Sequence, residues 1–100
     1  MDCVSVSQHG VVTVLTLNRP DNRNALNMAL VKELLAVVAD AGHDATRAFV
    51  LAGAGAHFCA GADLEELAAS TDAPEQERLR QATVLGDLFT ALLRCPLVTV

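Results

Sequence analysis

The chain has 100 residues, of which 52% are hydrophobic, 19% charged and 3% aromatic. This length and composition fit one small globular domain whose core is built from aliphatic side chains. The formal net charge of -5 argues against nucleic-acid binding, which requires a basic surface, and against docking to anionic membranes.

The first predicted element is a β-hairpin. Residues 3–8 and 11–17, CVSVSQ and VVTVLTL, are rich in valine and threonine and alternate in polarity around His9-Gly10, as hairpin strands do. The amino terminus has no basic segment followed by an apolar stretch, so we expect no signal peptide. No apolar run reaches the roughly 18 residues that a membrane span needs.

A loop and a helix are predicted next. The segment NRPDNRNALN, residues 18–27, is rich in turn-forming residues and ends at Asn27, a good N-cap for a helix. From Met28 to Ala41 the apolar residues recur at helical spacing, with Gly42 as the C-terminal cap. The predicted apolar positions of this helix are Leu30, Leu34, Val37, Val38 and Ala41.

The remaining elements complete an alternating order. AFVLAG, residues 48–53, is apolar throughout and predicts a strand buried on both faces, as in a parallel sheet. A short helix is expected over 63–69, and a longer helix opens at Asp72 and Pro74 and ends at Pro96, before a β-branched strand. The apolar stripe predicted for the longer helix is Leu79, Ala82, Leu85, Phe89 and Leu92. This order of strands and helices indicates an α/β architecture.

The cysteines and the one nearby histidine suggest no metal or disulfide chemistry. Cys3, Cys59 and Cys95 are odd in number and lack CxxC spacing, which argues against a disulfide framework and a structural zinc site. We therefore expect no metal and a reducing, cytoplasmic setting. His57 and Cys59 could face the same side of an extended segment as a metal pair or as a nucleophile with its base. The alternative, which we favour, is that Cys59 is a small buried filler.

The segment LAGAGAHFCAGADL, residues 51–64, raises the question of a ligand-binding loop. A dinucleotide fingerprint requires glycine where Phe58 stands, and a P-loop requires lysine where Ala62 stands. Small residues before a helix that begins near Asp63 are instead compatible with an oxyanion-type site, where backbone amides stabilise a thioester carbonyl as it becomes an enolate. The alternative is that Asp63 caps the helix with Glu66, as a near capping box, and the alanines only pack tightly.

Two segments together resemble a known family. NRP at 18–20 with NALN at 24–27, and FCAGADL at 58–64, are similar to the N-terminal half of the enoyl-CoA hydratase/isomerase, or crotonase, family. The resemblance covers essentially the whole chain. It implies an α/β fold of the crotonase-like (ClpP/crotonase) type, with residues 1–100 forming the N-terminal part of a single β-β-α spiral domain. It also implies lyase or isomerase chemistry of fatty acid metabolism, namely hydration or isomerisation of an enoyl-CoA thioester through an enolate.

The same resemblance implies which residues form the site. The backbone N–H of Ala62 is implied as one of two donors in the oxyanion hole, and Arg23 stands where a basic residue can meet a CoA phosphate. The other implied substrate contacts are Ala25, Leu26, Ala60, Gly61, Asp63 and Leu64. The substrate brings its own CoA, so no tightly bound cofactor is expected, and the implied assembly is a homotrimer or a dimer of trimers.

One departure from the family pattern leaves the function open. In the family the second oxyanion donor and the usual acid/base carboxylates come from later segments, and this chain ends at Val100 before them. We therefore expect either a piece of a longer enzyme or a CoA-thioester-binding or subunit-association module without turnover, and we name no general acid or base. Glu65 and Glu66 either reach into a pocket or form an exposed first helical turn. Acyl-chain specificity and reaction type also stay open.

Overall fold

The computed structural model describes residues 3–40 and 44–100. The strands are β1 (Val4–His9), β2 (Val12–Leu17), β3 (Ala48–Gly53) and β4 (Val98–Thr99). The helices are α1 (Met28–Ala39), α2 (Leu64–Ala69) and α3 (Glu75–Arg94), and a 3-10 turn covers Pro20–Asn22. The predicted order of elements is confirmed. Within these described ranges, no helix combines the length and the apolar character that crossing a membrane requires.

The four strands form one sheet in the order β1-β2-β3-β4. β1 and β2 are the predicted antiparallel hairpin, joined at Gly10, whose φ of +62° is readily adopted by glycine. β2 and β3 are parallel and in register from Val12↔Ala48 to Leu17↔Gly53. Because parallel strands end at the same edge of a sheet, the chain leaves β2 and β3 at neighbouring points.

Helix α1 begins where the sequence predicted. The Asn27 side chain accepts a hydrogen bond from the Leu30 N–H at 2.9 Å, which satisfies one of the unpaired amides of the first turn. The buried residues of α1 join side chains of the sheet in the core cluster; they are Leu30, Val31, Leu34 and Val38. The predicted helix end at Ala41 and the predicted cap Gly42 lie outside the described residues.

Glu33 ties the start of β1 to α1. Its carboxylate accepts hydrogen bonds from the N–H groups of Cys3 at 3.1 Å and Val4 at 3.3 Å. Partial burial by itself would raise the pKa of Glu33, but these amide hydrogen bonds outweigh it and hold the pKa below its usual value. The edge strand is thus fixed to the helix through an ionised side chain.

The prediction that β3 is buried on both faces holds for one face only. Phe49 is buried in the core and Leu51, on the same face, packs against it. Val50 on the other face is half-buried. An uninterrupted apolar run therefore did not mean two equally covered faces.

The stripe predicted for α3 is confirmed in part: Leu85 and Leu92 pack against the core, whereas the rest of the stripe is exposed. Leu79 and Phe89 are 59% and 53% exposed, whereas Leu88, absent from the predicted stripe, is only 1% exposed. The residues of α3 and its end that pack against the core are Val84, Leu85, Ala91, Leu92 and Cys95. The helix carries apolar side chains on two faces, and spacing alone did not decide which face meets the core.

Candidate functional site

Two loops meet at the carboxyl ends of β2 and β3, where ligands of parallel sheets usually bind. The first loop covers residues 18–27 and the second covers residues 54–63. At Gly53 the second loop folds back so closely that an added Cβ would lie 2.4 Å from the Phe58 carbonyl oxygen and 2.5 Å from that of His57. Only glycine fits at this strand end without moving the loop.

Asn24 fastens the two loops together. Its side chain is fully buried, and its amide nitrogen donates to the carbonyl oxygens of Ala54 at 2.9 Å and His57 at 2.8 Å. The Asn24 side-chain oxygen accepts from the Arg19 N–H at 2.8 Å. Asn24 adopts a φ of 56°, a left-handed conformation that asparagine tolerates better than most residues. One buried side chain thus links the first loop to both ends of the 54–57 segment.

A short parallel bridge between the loops determines the direction of the Ala62 N–H. The Leu26 N–H donates to the Gly61 carbonyl oxygen at 2.7 Å, and the Asp63 N–H donates to the Leu26 carbonyl oxygen at 3.1 Å. In this pattern the residue between the two bonded neighbours points its own N–H away from the bridge. The Ala62 N–H donates no hydrogen bond to any group among residues 3–40 and 44–100, and Ala62 is exposed.

A nearly buried ion pair lies behind this bridge. The Arg19 Nη2 is 3.0 Å from the Asp63 Oδ2, and the two side chains are 16% and 10% exposed. The Arg19 Nη1 also donates to the Ala25 carbonyl oxygen at 2.5 Å. The Glu66 N–H donates to the Asp63 Oδ1 at 3.0 Å, the predicted N-cap of α2. The hydrogen bond from the Glu66 backbone, followed by the Arg19 guanidinium, holds the pKa of Asp63 below its usual value.

Glu66 does not complete the near capping box that its position predicted. Its carboxylate accepts instead from the Met28 N–H at 2.9 Å, so it caps the first turn of α1 from outside that helix. Glu66 is therefore half-buried rather than part of an exposed first turn, whereas Glu65 is exposed. The starts of α1 and α2 are joined by this one side chain.

Ala62 lines two clefts. The Ala60 cleft, of about 380 Å³, is lined by Asn22, Arg23, Ala25, Ala60, Ala62, Asp63, Leu64 and Glu65. The Leu85 cleft, of about 220 Å³, is lined by Leu26, Met28, Ala62, Asp63, Glu66, Leu67, Ser70, Arg78, Gln81, Ala82 and Leu85. Ala62 and Asp63 belong to both. Ala62 thus lies at the junction of a partly charged cleft and a largely apolar one.

Most of the site residues predicted from the sequence lie together in the two clefts. The six in the Ala60 cleft are Arg23, Ala25, Ala60, Ala62, Asp63 and Leu64. Leu26 lines the neighbouring cleft. Gly61 lines neither cleft and acts through its carbonyl, which accepts from Leu26; its φ of +96° suits glycine.

The other candidates do not form a site. Cys59 packs against the core as predicted, although it is half-buried rather than buried, and His57 is exposed. The described ranges contain no group of three or more His, Cys, Asp or Glu side chains that could hold a metal ion. A larger cavity of about 550 Å³ lies near the start of β3, but two of its polar side chains, Thr13 and Thr46, are hydrogen-bonded to each other at 2.7 Å.

Comparison with known proteins identifies the family. A family model described as enoyl-CoA hydratase/isomerase matches residues 7–100. The chain belongs to the enoyl-CoA hydratase/isomerase family. "Probable enoyl-CoA hydratase EchA14" of Mycobacterium tuberculosis is 40% identical over 98 residues, which cover 97% of this chain and 36% of that protein. A "Probable enoyl-CoA hydratase" of Rhodobacter capsulatus is 42% identical over 90 residues, or 86% of this chain and 32% of that protein.

Solved structures show that this enoyl-CoA hydratase/isomerase family member has the crotonase fold. Pseudomonas aeruginosa AtuE superposes with a TM-score of 0.91 at 35% identity, over 97% of this chain and 38% of AtuE. A Legionella pneumophila protein described as an enoyl CoA hydratase/isomerase (crotonase) gives 0.90 at 31% identity, over 99% of this chain and 39% of that one. The chain thus spans about a third of the length of the relatives that it matches.

Three polar residues of this family member shape the site through contacts that no sequence pattern predicted. They are Arg19, Asn24 and Glu66, whose bonding partners lie on other elements. An asparagine within a turn-rich loop is a weak indication of a left-handed residue, so Asn24 could have been suspected. The partners of Arg19 and Glu66 are up to 44 and 38 residues away, and nothing local indicates them.

Proposed function

We propose that this chain binds an acyl-CoA thioester at the junction of the Ala60 and Leu85 clefts, with the Ala62 N–H donating to the thioester carbonyl oxygen. The observation that carries this proposal is the unused N–H of Ala62, an exposed residue between two bonded neighbours. A donor that is already oriented costs little reorganisation when negative charge develops on the carbonyl oxygen. The family relationship makes an enoyl-CoA the expected acyl-CoA.

The two clefts suit the two halves of such a ligand. The Ala60 cleft contains Arg23, an exposed cation that can meet a phosphate of CoA in an otherwise acidic chain. The Leu85 cleft offers apolar side chains, among them Leu26, Leu67 and Leu85, to an acyl chain. The thioester carbonyl then lies between them, at Ala62. The substrate supplies its own CoA, and the proposal requires no metal or prosthetic group.

The proposed chemistry is that of the family: hydration or isomerisation of an enoyl-CoA through an enolate. Charge that moves onto the thioester oxygen is stabilised by the Ala62 N–H and by a second N–H donor, which the family resemblance puts in a later segment. The acid/base carboxylates are expected in that later part as well. We further propose that the complete protein assembles as a trimer or a dimer of trimers.

A second candidate function is acyl-CoA binding without turnover. The carboxylates among the described residues of the Leu85 cleft are those of Asp63 and Glu66, and both already accept backbone hydrogen bonds. A general acid or base must be able to exchange a proton with the substrate. Carboxylates that already accept backbone hydrogen bonds are poorly suited to this proton transfer. This observation favours a binding module if the 100-residue chain acts alone.

The test replaces Ala62 by proline, which has no N–H, and by glycine, which keeps it. Binding of crotonyl-CoA and of free CoA is measured by calorimetry, and hydration is followed through loss of the conjugated thioester. We expect Ala62→Pro to lose its preference for crotonyl-CoA over CoA and, where turnover occurs, about 100-fold or more in rate. Ala62→Gly is the control for the side chain. Largely intact turnover or preference in Ala62→Pro would refute the role of Ala62, and binding without hydration by the parent chain would favour the second candidate.

A further inference from the structure

We propose that Arg19 is a positioning residue, which orients and polarises the Ala62 N–H through two consecutive peptide groups. This proposal rests on the proposed function, because it explains how the N–H that donates to the thioester oxygen is oriented and polarised. It starts from two consecutive hydrogen bonds, which run from the Arg19 guanidinium through the peptide groups 25–26 and 61–62. We call this series the peptide relay.

The first part of the relay joins Arg19 to Leu26. The Arg19 Nη1 donates to the Ala25 carbonyl oxygen at 2.5 Å. No described peptide bond is cis, so the Ala25 C=O and the Leu26 N–H of the same planar peptide point in opposite directions. Holding the Ala25 carbonyl therefore aims the Leu26 N–H toward the second loop.

The second part joins Leu26 to Ala62. The Leu26 N–H donates to the Gly61 carbonyl oxygen at 2.7 Å. The Gly61 C=O shares a planar trans peptide with the Ala62 N–H, so this N–H must point away from Leu26. Gly61 has a φ of +96° and little conformational restraint of its own. The direction of the Ala62 N–H is consequently set by the bond to Leu26 and, one peptide further, by Arg19.

The relay also carries an electrostatic effect. A cation that binds one peptide oxygen polarises that peptide, which makes its N–H a better donor to the next peptide, by about 10–30% per bond. Arg19 is at one end, and the unpaired Ala62 N–H is at the other. Low exposure of the Arg19 and Asp63 side chains, 16% and 10%, limits screening by water. The polarised end is the donor proposed for the thioester oxygen.

Asp63 holds the guanidinium in place. The Arg19 Nη2 lies 3.0 Å from the Asp63 Oδ2, while Nη1 reaches Ala25, so both arms of the planar fork are used. A lysine ammonium keeps the charge but lacks this fork geometry. The ion pair therefore serves as an anchor for the relay, in addition to its contribution to stability.

The test compares Arg19→Met, Arg19→Lys and Asp63→Asn with the parent chain by ¹H–¹⁵N NMR without ligand. We expect Arg19→Met to shift the Leu26 and Ala62 amide protons upfield, because both peptides lose polarisation. The amide of Leu88, in the middle of α3 and outside both loops, is an internal reference. The matched control is Arg80→Met, which breaks the exposed Arg80–Glu77 ion pair of α3. We expect Arg19→Lys and Asp63→Asn to give smaller shifts of the same sign.

With ligand, the readout is the carbonyl stretch of bound crotonyl-CoA and the preference for crotonyl-CoA over CoA. Weakening one oxyanion donor costs less than deleting it, so we expect the preference to fall about tenfold in Arg19→Met while CoA affinity changes little. A folded Arg19→Met with unchanged Ala62 resonance and carbonyl stretch would overturn the relay. If Arg19→Met does not fold, Arg19→Lys and Asp63→Asn decide by the same readouts. If the Ala62 amide resonance of the parent chain does not change when crotonyl-CoA is added, the proposed function and the relay's role in binding are refuted. The shifts measured without ligand still decide whether Arg19 polarises the Ala62 N–H.

Discussion

The junction of the two loops and the outer face of α3 are built in opposite ways. At the junction, the buried side chain of Asn24 and the half-buried side chain of Arg19 make hydrogen bonds that fix backbone positions. On α3, Leu79, Phe89 and Leu93 are exposed. The N–H proposed as thioester donor is thus held by specific polar contacts, whereas the side chains on the outer face of α3 are exposed to solvent. Residues at the junction should therefore respond to small changes far more strongly than residues on α3.

The largest difference in unfolding free energy is expected between alanine substitutions at two glycines, Gly53 and Gly86. In Gly53→Ala the new Cβ would lie 2.4 Å from the Phe58 carbonyl oxygen, so the second loop must move. We expect a loss of about 3 kcal/mol in unfolding free energy. In Gly86→Ala on α3 the new Cβ meets nothing within 4 Å, and alanine should stabilise the helix by about 0.5–1 kcal/mol. Urea unfolding of both variants measures this. If both substitutions changed the unfolding free energy equally, the loop junction at Gly53 would be no more closely packed than the helix at Gly86.

The next largest effect is expected at Asn24. Replacing it by alanine removes three hydrogen bonds and leaves the carbonyls of Ala54 and His57 without this donor. We expect a loss of about 2–3 kcal/mol in unfolding free energy. Asn22→Ala, an exposed asparagine of the same loop, is the control and should stay within about 0.5 kcal/mol. A neutral Asn24→Ala would mean that the loops do not depend on this side chain.

A smaller, pH-dependent effect should distinguish the Arg19–Asp63 ion pair from the exposed Arg80–Glu77 ion pair of α3. The Glu66 amide and Arg19 lower the pKa of Asp63 in the folded chain. Asp63 therefore adds stability above the ordinary carboxyl pKa of about 4, and this contribution disappears as the pH falls through the lower folded-state pKa. We expect the parent chain to exceed Asp63→Asn in stability at pH 7 and to lose that advantage in acid, as measured by urea unfolding. For Glu77→Gln on α3 we expect almost no difference at either pH. An Asp63→Asn difference that persists unchanged in acid would contradict the charge argument.

Local signals in the sequence predicted much of this fold. Alternation around His9-Gly10 predicted the hairpin, and the caps Asn27 and Asp63 were predicted from their residue type and from the helical segments after them. These features depend on neighbours within a few residues. The resemblance in NRPDNRNALN and FCAGADL further predicted that these two loops lie together, as they do, which composition could not do.

The features that the sequence did not predict depend on tertiary contacts. The buried face of α3 follows Leu88 rather than Leu79 because the packing of α3 on α1 and the sheet, not helical spacing, selects the face. Glu66 binds the first turn of α1 rather than its own helix because the Leu26–Ala62 bridge brings the two helix starts together. Arg19 bonds across the same bridge. Such partners cannot be read from local residue type.

The most direct test of the central claim is a titration of the ¹⁵N-labelled 100-residue chain with crotonyl-CoA and, separately, with CoA. The Ala62 N–H should exchange rapidly with solvent before ligand is added, because no described group accepts from it. We expect its proton to move downfield and to become protected with crotonyl-CoA, but not with CoA. An Ala62 resonance that is already protected, or that stays unchanged at saturating crotonyl-CoA, would contradict the proposed thioester donor.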